Sequence, residues 1–177
     1  LKDFDMKKDN TKVTFKGNPI TLLGEPVKVG DKAPDFSVID ATLSPKSLKD
    51  YAGKVKVMAI YPSIDTGICA AQNRKFNELA TKMSDDIVVL SISCDLPFAQ
   101  SRFCGAEGLN NVVTLSDHKA TDFGLNYGFL IEELRLLARG TVIVDKNDTV
   151  QYVEFVPEIA TEPNYDAAMA VINKLMA

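Results

Sequence analysis

The run Tyr61-Pro62-Ser63-Ile64-Asp65-Thr66-Gly67-Ile68-Cys69 leaves an apolar stretch, turns through polar residues and arrives at a thiol. Helical spacing sets in there, with Cys69, Phe76, Leu79, Ala80 and Met83 on one face and Arg74, Lys75 and Glu78 on others. Asp65 or Thr66 can cap this helix. Its unpaired first-turn N–H groups, equivalent to about half a positive charge, then stabilise a thiolate at Cys69. A thiolate so placed attacks electrophiles; the plainer alternative is that Cys69 fills the core as a small apolar side chain. Fast attack also requires donors for the charge that develops on a leaving group, each worth about 3 kcal/mol in a dry site. The Thr66 hydroxyl is one candidate. Arg139, directly before the apolar run Thr141 to Val144, is another, its alternative being a solvated strand end.

The remaining cysteines separate by pattern. Alternation from Ile87 places Val88, Leu90, Ile92 and Cys94 on one strand face, so Cys94 continues an apolar row and reads as core. Cys104 lies at the end of a short helical stretch from Pro97, before a break from Gly105 to Gly108, in a segment able to move. A mobile thiol can come within the roughly 7 Å Cα separation that a disulfide requires. Cys69, Cys94, Cys104 and the single His118 would formally supply four zinc ligands, but no pair shows the short interval of structural zinc sites, and no metal or other cofactor is expected. A cysteine protease using His118 lacks an orienting third group, and Ala70-Ala71-Gln72 after Cys69 removes the Cys-x-x-Cys pair of dithiol exchange.

The elements that must hold these residues read as follows. Lys12 to Leu22 makes two short runs around a Gly17-Asn18-Pro19 turn, a peripheral hairpin at the amino end. Phe36 to Ile39 is a short strand, and Lys54 to Tyr61 is a strand buried on both faces near the sheet's centre. Strands follow over Ile87 to Cys94 and Val112 to Leu115, with a short helix over Lys119 to Tyr127. Thr141 to Val144 and Thr149 to Phe155 form a hairpin around Lys146-Asn147-Asp148. A last helix carries Tyr165, Ala168, Met169, Ile172, Leu175 and Met176, with Thr161 and Pro163 as start signals. A βαβ half followed by a ββα half makes an α/β fold, a thioredoxin-like mixed sheet flanked by helices, with an N-terminal β-hairpin. Residues 1–11 read as a tail and 12–177 as one domain; Met6 reads as a natural start and Leu1 to Asp5 as a remnant of cloning.

Composition narrows the function classes. A chain of 177 residues with 46% hydrophobic and 25% charged residues is ordinary globular material, large enough to bury roughly 70% of its unfolded surface. Its 20 basic against 24 acidic residues, with no basic block, argue against nucleic acid as a partner. No apolar run reaches the 18 or so residues of a membrane span and the amino end, Leu1 to Lys8, lacks the apolar core of a signal peptide, so a cytoplasmic location is expected, with no membrane partner. Three cysteines are too few and odd in number for a disulfide framework.

Pro62 to Cys69 (Pro-Ser-Ile-Asp-Thr-Gly-Ile-Cys), Asp95 to Cys104 (Asp-Leu-Pro-Phe-Ala-Gln-Ser-Arg-Phe-Cys) and Leu136 to Arg139 (Leu-Leu-Ala-Arg) together resemble the bacterial thiol peroxidases, atypical two-cysteine peroxiredoxins, over about Lys12 to Ala177. The resemblance implies that Cys69 is the peroxidatic cysteine, that Thr66 positions the peroxide, that Pro62 shields the pocket and that Arg139 stabilises thiolate and leaving oxygen. Cys104 matches the resolving cysteine; Cys94 matches no functional position. The implied substrates are hydrogen peroxide and alkyl hydroperoxides, the implied reductant is thioredoxin, and a homodimer built through the active-site side is expected. Closure of a Cys69 to Cys104 disulfide is expected to unwind the first turn around Cys69. The rival from another class is a thioredoxin-like redox sensor or binding protein switched by the same two thiols.

Overall fold

A computed structural model describes residues 6–177; the reading of Leu1 to Asp5 as a remnant falls outside the described residues. Val55–Ile60 (β5) is buried at every position, including Lys56, whose ammonium meets Asp148 at 2.6 Å. Such a strand must lie inside a sheet covered on both faces. It pairs in parallel with Ile87–Ser93 (β6) and antiparallel with Gly140–Val144 (β9), which pairs antiparallel with Val150–Phe155 (β10). Beyond β6 lie Val112–Ser116 (β7), Val38–Asp40 (β3) and the two-residue Pro45–Lys46 (β4), completing seven strands in the order β10-β9-β5-β6-β7-β3-β4. Gly67–Thr81 (α1) connects β5 to β6, Pro97–Glu107 (α2) connects β6 to β7, and Tyr165–Met176 (α4) follows β10. This is the expected thioredoxin-like arrangement.

One face of the sheet packs Met58, Ile60, Leu90, Ile92 and Val142 against Asp122–Tyr127 (α3) and a smaller sheet. The other packs Val55, Val57, Ala59, Val89 and Ile143 against α1 and α4 through Phe76, Ala168 and Ile172. Alternation along β6 therefore holds, and Cys94 is partly buried against the first cluster.

Several boundaries differ from the sequence reading, β3 among them, which is Val38–Asp40 and not Phe36 to Ile39. The N-terminal hairpin is Lys8–Phe15 (β1) with Asn18–Leu23 (β2), so residues 8–11 belong to a strand and not to the tail. A register shift between Asp9 and Val13 breaks the alternation that would reveal them. Its turn is Lys16-Gly17, at φ 51° and 81°, the pair of positive values a tight hairpin turn demands, and Pro19 sits inside β2. The hairpin is not peripheral: Leu130–Ile131 (β8) adds a third strand, and Val13, Ile20, Leu22 and Leu23 are buried in the main core. Finally, α2 continues through Gly105 to Glu107 and stops at Gly108, whose left-handed φ of 67° closes the helix, while α3 begins at Asp122, not Lys119.

Candidate active site

β5 delivers the chain to Tyr61 and Pro62, both buried, and the loop to Thr66 is held by side chains. The Asp95 carboxylate accepts from Ser63 Oγ (2.8 Å), Ile64 N (2.7 Å) and Ser93 Oγ (2.7 Å), which fixes the loop to the end of β6. Thr66, extended at φ −104° and ψ 148°, is the N-cap of α1, and its Oγ1 accepts from Cys69 N at 3.3 Å. Cys69 is thereby locked into the first helical turn with its side chain fully buried.

Arg139 reaches the same point from the start of β9. It is 2% exposed, and its three nitrogens are spoken for: Nε donates to Ile159 O at 2.8 Å, Nη1 to Gln72 Oε1 at 2.7 Å and Nη2 to Cys69 Sγ at 3.2 Å. Among the described residues no carboxylate lies within ion-pair distance of this guanidinium, whose partners are the sulfur, an amide oxygen and a backbone carbonyl. The neighbouring Gly140 permits this placement. A Cβ there would stand 2.1 Å from Glu154 O and 2.6 Å from a Phe129 ring carbon.

Sequence reading missed Gln72 and Asn73. Gln72, fully buried three residues after Cys69, accepts from Arg139 and donates to Ile60 O at 3.2 Å, tying helix, strand and guanidinium together. Asn73 donates to Cys69 O at 2.9 Å and accepts from Ser91 Oγ, which also meets Tyr61 Oη at 2.9 Å. The available signal was two amides on the apolar face of a helix, where a polar side chain needs a buried partner.

Beside Thr66 and Arg139, which both contact Cys69, opens a pocket of about 550 Å³. Pro62, Thr66 and Arg139 line it together with Phe15, Lys16, Ser63, Gly67, Ile68, Leu134, Leu136, Ile159 and Ala160, an almost wholly apolar wall that also carries the Lys16 and Arg139 cations and the Ser63 and Thr66 hydroxyls. The structure thus brings together Cys69, Thr66, Arg139 and Pro62. It does not bring Cys104 to that pocket. Cys104, half-buried in the last turn of α2, opens on a separate cavity of about 350 Å³ beside Ser101 and Val112, and burial raises its thiol above the ordinary range. Phe103 packs on the cluster of Tyr61, Ile64 and Cys69 and also on the cluster that holds Cys104. All three cysteines are free thiols. Cys94 is pushed up to about 12 by burial, with Asp117 and Asp95 adding, and it shares a third cavity with His118, Lys119 and Arg135. The single histidine therefore stands away from the pocket that Thr66 and Arg139 line.

The Redoxin family profile matches residues 28–169. A thiol peroxidase of Oceanobacillus iheyensis is 54% identical over 92% of this chain and 98% of its own, and one of Bacillus subtilis is 51% identical over 93% and 98%. Among solved structures, a peroxiredoxin-like protein from Aquifex aeolicus superposes with a TM-score of 0.87 at 40% identity, covering 95% of this chain and 98% of that one. A thiol peroxidase from Chromobacterium violaceum shares the fold with a TM-score of 0.83 at 19% identity, over 94% and 97%.

Proposed function

The chain belongs to the thiol peroxidases of the redoxin family, and from that premise we propose how its own residues carry the reaction. It is a peroxidase. The Cys69 thiolate, held at the start of α1, attacks the terminal oxygen of a hydroperoxide; the S–O bond forms as the O–O bond breaks. The departing alkoxide or hydroxide takes a proton and leaves as alcohol or water, and the sulfur becomes a sulfenic acid. Arg139 stabilises the thiolate and the charge on the leaving oxygen, Thr66 turns its hydroxyl to the bound peroxide, and Pro62 keeps water from the sulfur. The observation that carries this reading is the 3.2 Å contact to Cys69 Sγ from the buried Arg139, which itself lines the pocket.

The Cys104 sulfur then attacks the sulfenic sulfur, an S–S bond forms and water is lost. Because Cys104 opens on a different cavity, the first turn of α1 and the last turns of α2 unwind for this step. Thioredoxin returns both thiols by two exchange steps. The substrates are hydrogen peroxide and alkyl hydroperoxides, and the protein acts in the cytoplasm as a homodimer through its active-site side. Exposed Leu96 and Phe98, next to the Asp95 anchor, and Leu134 on the pocket support that face. Cys104→Ser tests the cycle: one rapid oxidation of Cys69 is expected with no thioredoxin-dependent recycling, and sustained turnover would overturn the resolving role.

A further inference from the structure

One of the three groups that hold Arg139 is the backbone carbonyl of Ile159, and the segment carrying Ile159 is laid along β1. Thr14 N donates to Pro157 O at 2.7 Å and Ile159 N to Thr14 O at 3.0 Å. Glu158, between them, turns its side chain back onto the hairpin tip. Its Oε1 accepts from Gly17 N at 2.8 Å and Thr14 Oγ1 at 3.1 Å, and its Oε2 accepts from Ala160 N at 2.9 Å. These donors, Ala160 and Gly17 foremost, hold the carboxyl of the partly buried Glu158 below the usual carboxylate range. One carboxylate thus joins the two segments that wall the pocket, Phe15 and Lys16 from the hairpin turn and Ile159 and Ala160 from the loop after β10.

We propose that Glu158 is a positioning residue for organic hydroperoxides: it clasps the Phe15-Lys16 turn to Ile159-Ala160, so that the apolar pocket grips the alkyl or aryl group of the substrate. The inference rests on the peroxidase reading above and divides its substrates into two classes. Hydrogen peroxide has no apolar group to grip and meets only Thr66, Arg139 and Cys69. An alkyl or aryl hydroperoxide places its organic group against the walls that Glu158 holds together. A clasp that served only the fold would alter turnover of both classes alike.

Steady-state kinetics with cumene hydroperoxide and hydrogen peroxide, in wild type, Glu158→Ala and Glu158→Gln, test it. In Glu158→Ala the KM for cumene hydroperoxide is expected to rise about tenfold, the equivalent of losing about 55 Å² of apolar contact, with kcat within about twofold. kcat/KM for hydrogen peroxide is expected to fall by less than about threefold, because that substrate makes no apolar contact to lose. Glu158→Gln, which keeps the side chain's volume and one acceptor oxygen, is expected to shift the same ratio by less and serves if the alanine variant fails to fold. Equal losses on both substrates, or a selectivity ratio unchanged in both variants, would overturn the proposal. A wild-type protein inactive on both peroxides would instead overturn the peroxidase reading itself.

Discussion

At Arg139 a buried guanidinium meets a sulfur, an amide and a backbone carbonyl, with no carboxylate among the described residues to neutralise it. Burying a cation in that way is costly, so each of the three hydrogen bonds that hold Arg139 counts, the one to Cys69 Sγ among them. Arg139→Ala is therefore expected to slow sulfenic acid formation about hundredfold, the usual cost of removing one donor from a developing oxyanion. Circular dichroism would check that the fold persists, since Gln72 Oε1 and Ile159 O lose their donor in the variant. An unchanged rate of oxidation, followed by stopped flow, would reject the electrostatic role. The spacing from Pro62 to Cys69 and the arginine before β9 made these residues readable in sequence. Gln72 was not, because its value lies in a partner 67 positions away.

At the scale of elements, the segments leaving the adjacent strands β5 and β6 meet at Asp95. Its carboxylate holds the Pro62–Thr66 loop while its own backbone leads into α2, so the segments bearing Cys69 and Cys104 share one anchor. Asp95→Asn leaves one acceptor oxygen for three donors, a loss of about 1–3 kcal/mol locally. The Ile64 amide, now bound to Asp95 Oδ2, is expected to exchange with solvent about tenfold faster or more in the variant. An amide that exchanges at the wild-type rate would remove Asp95 from the control of the loop. Long, strongly patterned elements such as β5, β6, α1 and α4 were legible from periodicity. Short ones were displaced by tertiary contacts. β1 is lengthened across an irregular register by pairing with β2, and α2 runs through Gly105 to a stop that only the left-handed Gly108 supplies.

For the molecule as a whole, the core carries one acid that works against it. Asp117 caps α3 by accepting from Phe123 N at 2.9 Å and Gly124 N at 2.8 Å, yet it is 1% exposed, and burial pushes its carboxyl up to about 6 despite those bonds. A carboxyl whose folded value lies above its unfolded one favours the folded state at low pH and loses that contribution as pH rises through the folded value. From an ordinary 3.8 to about 6, the change amounts to about 3 kcal/mol between roughly pH 4 and pH 7. Asp117→Asn, which cannot ionise, is expected to gain stability on wild type over that window in urea unfolding. A difference that does not move with pH would contradict this.

The central claim is that one thiol takes the oxygen and the other, from a separate cavity, closes the cycle. Reduced protein treated anaerobically with one equivalent of an alkyl hydroperoxide, then analysed by intact mass and non-reducing peptide mapping, tests it most directly. The account predicts rapid loss of two hydrogens and a linked peptide pair containing Cys69 and Cys104, with Cys94 unmodified. A gain of oxygen without that link, a link through Cys94, or no reaction would contradict it.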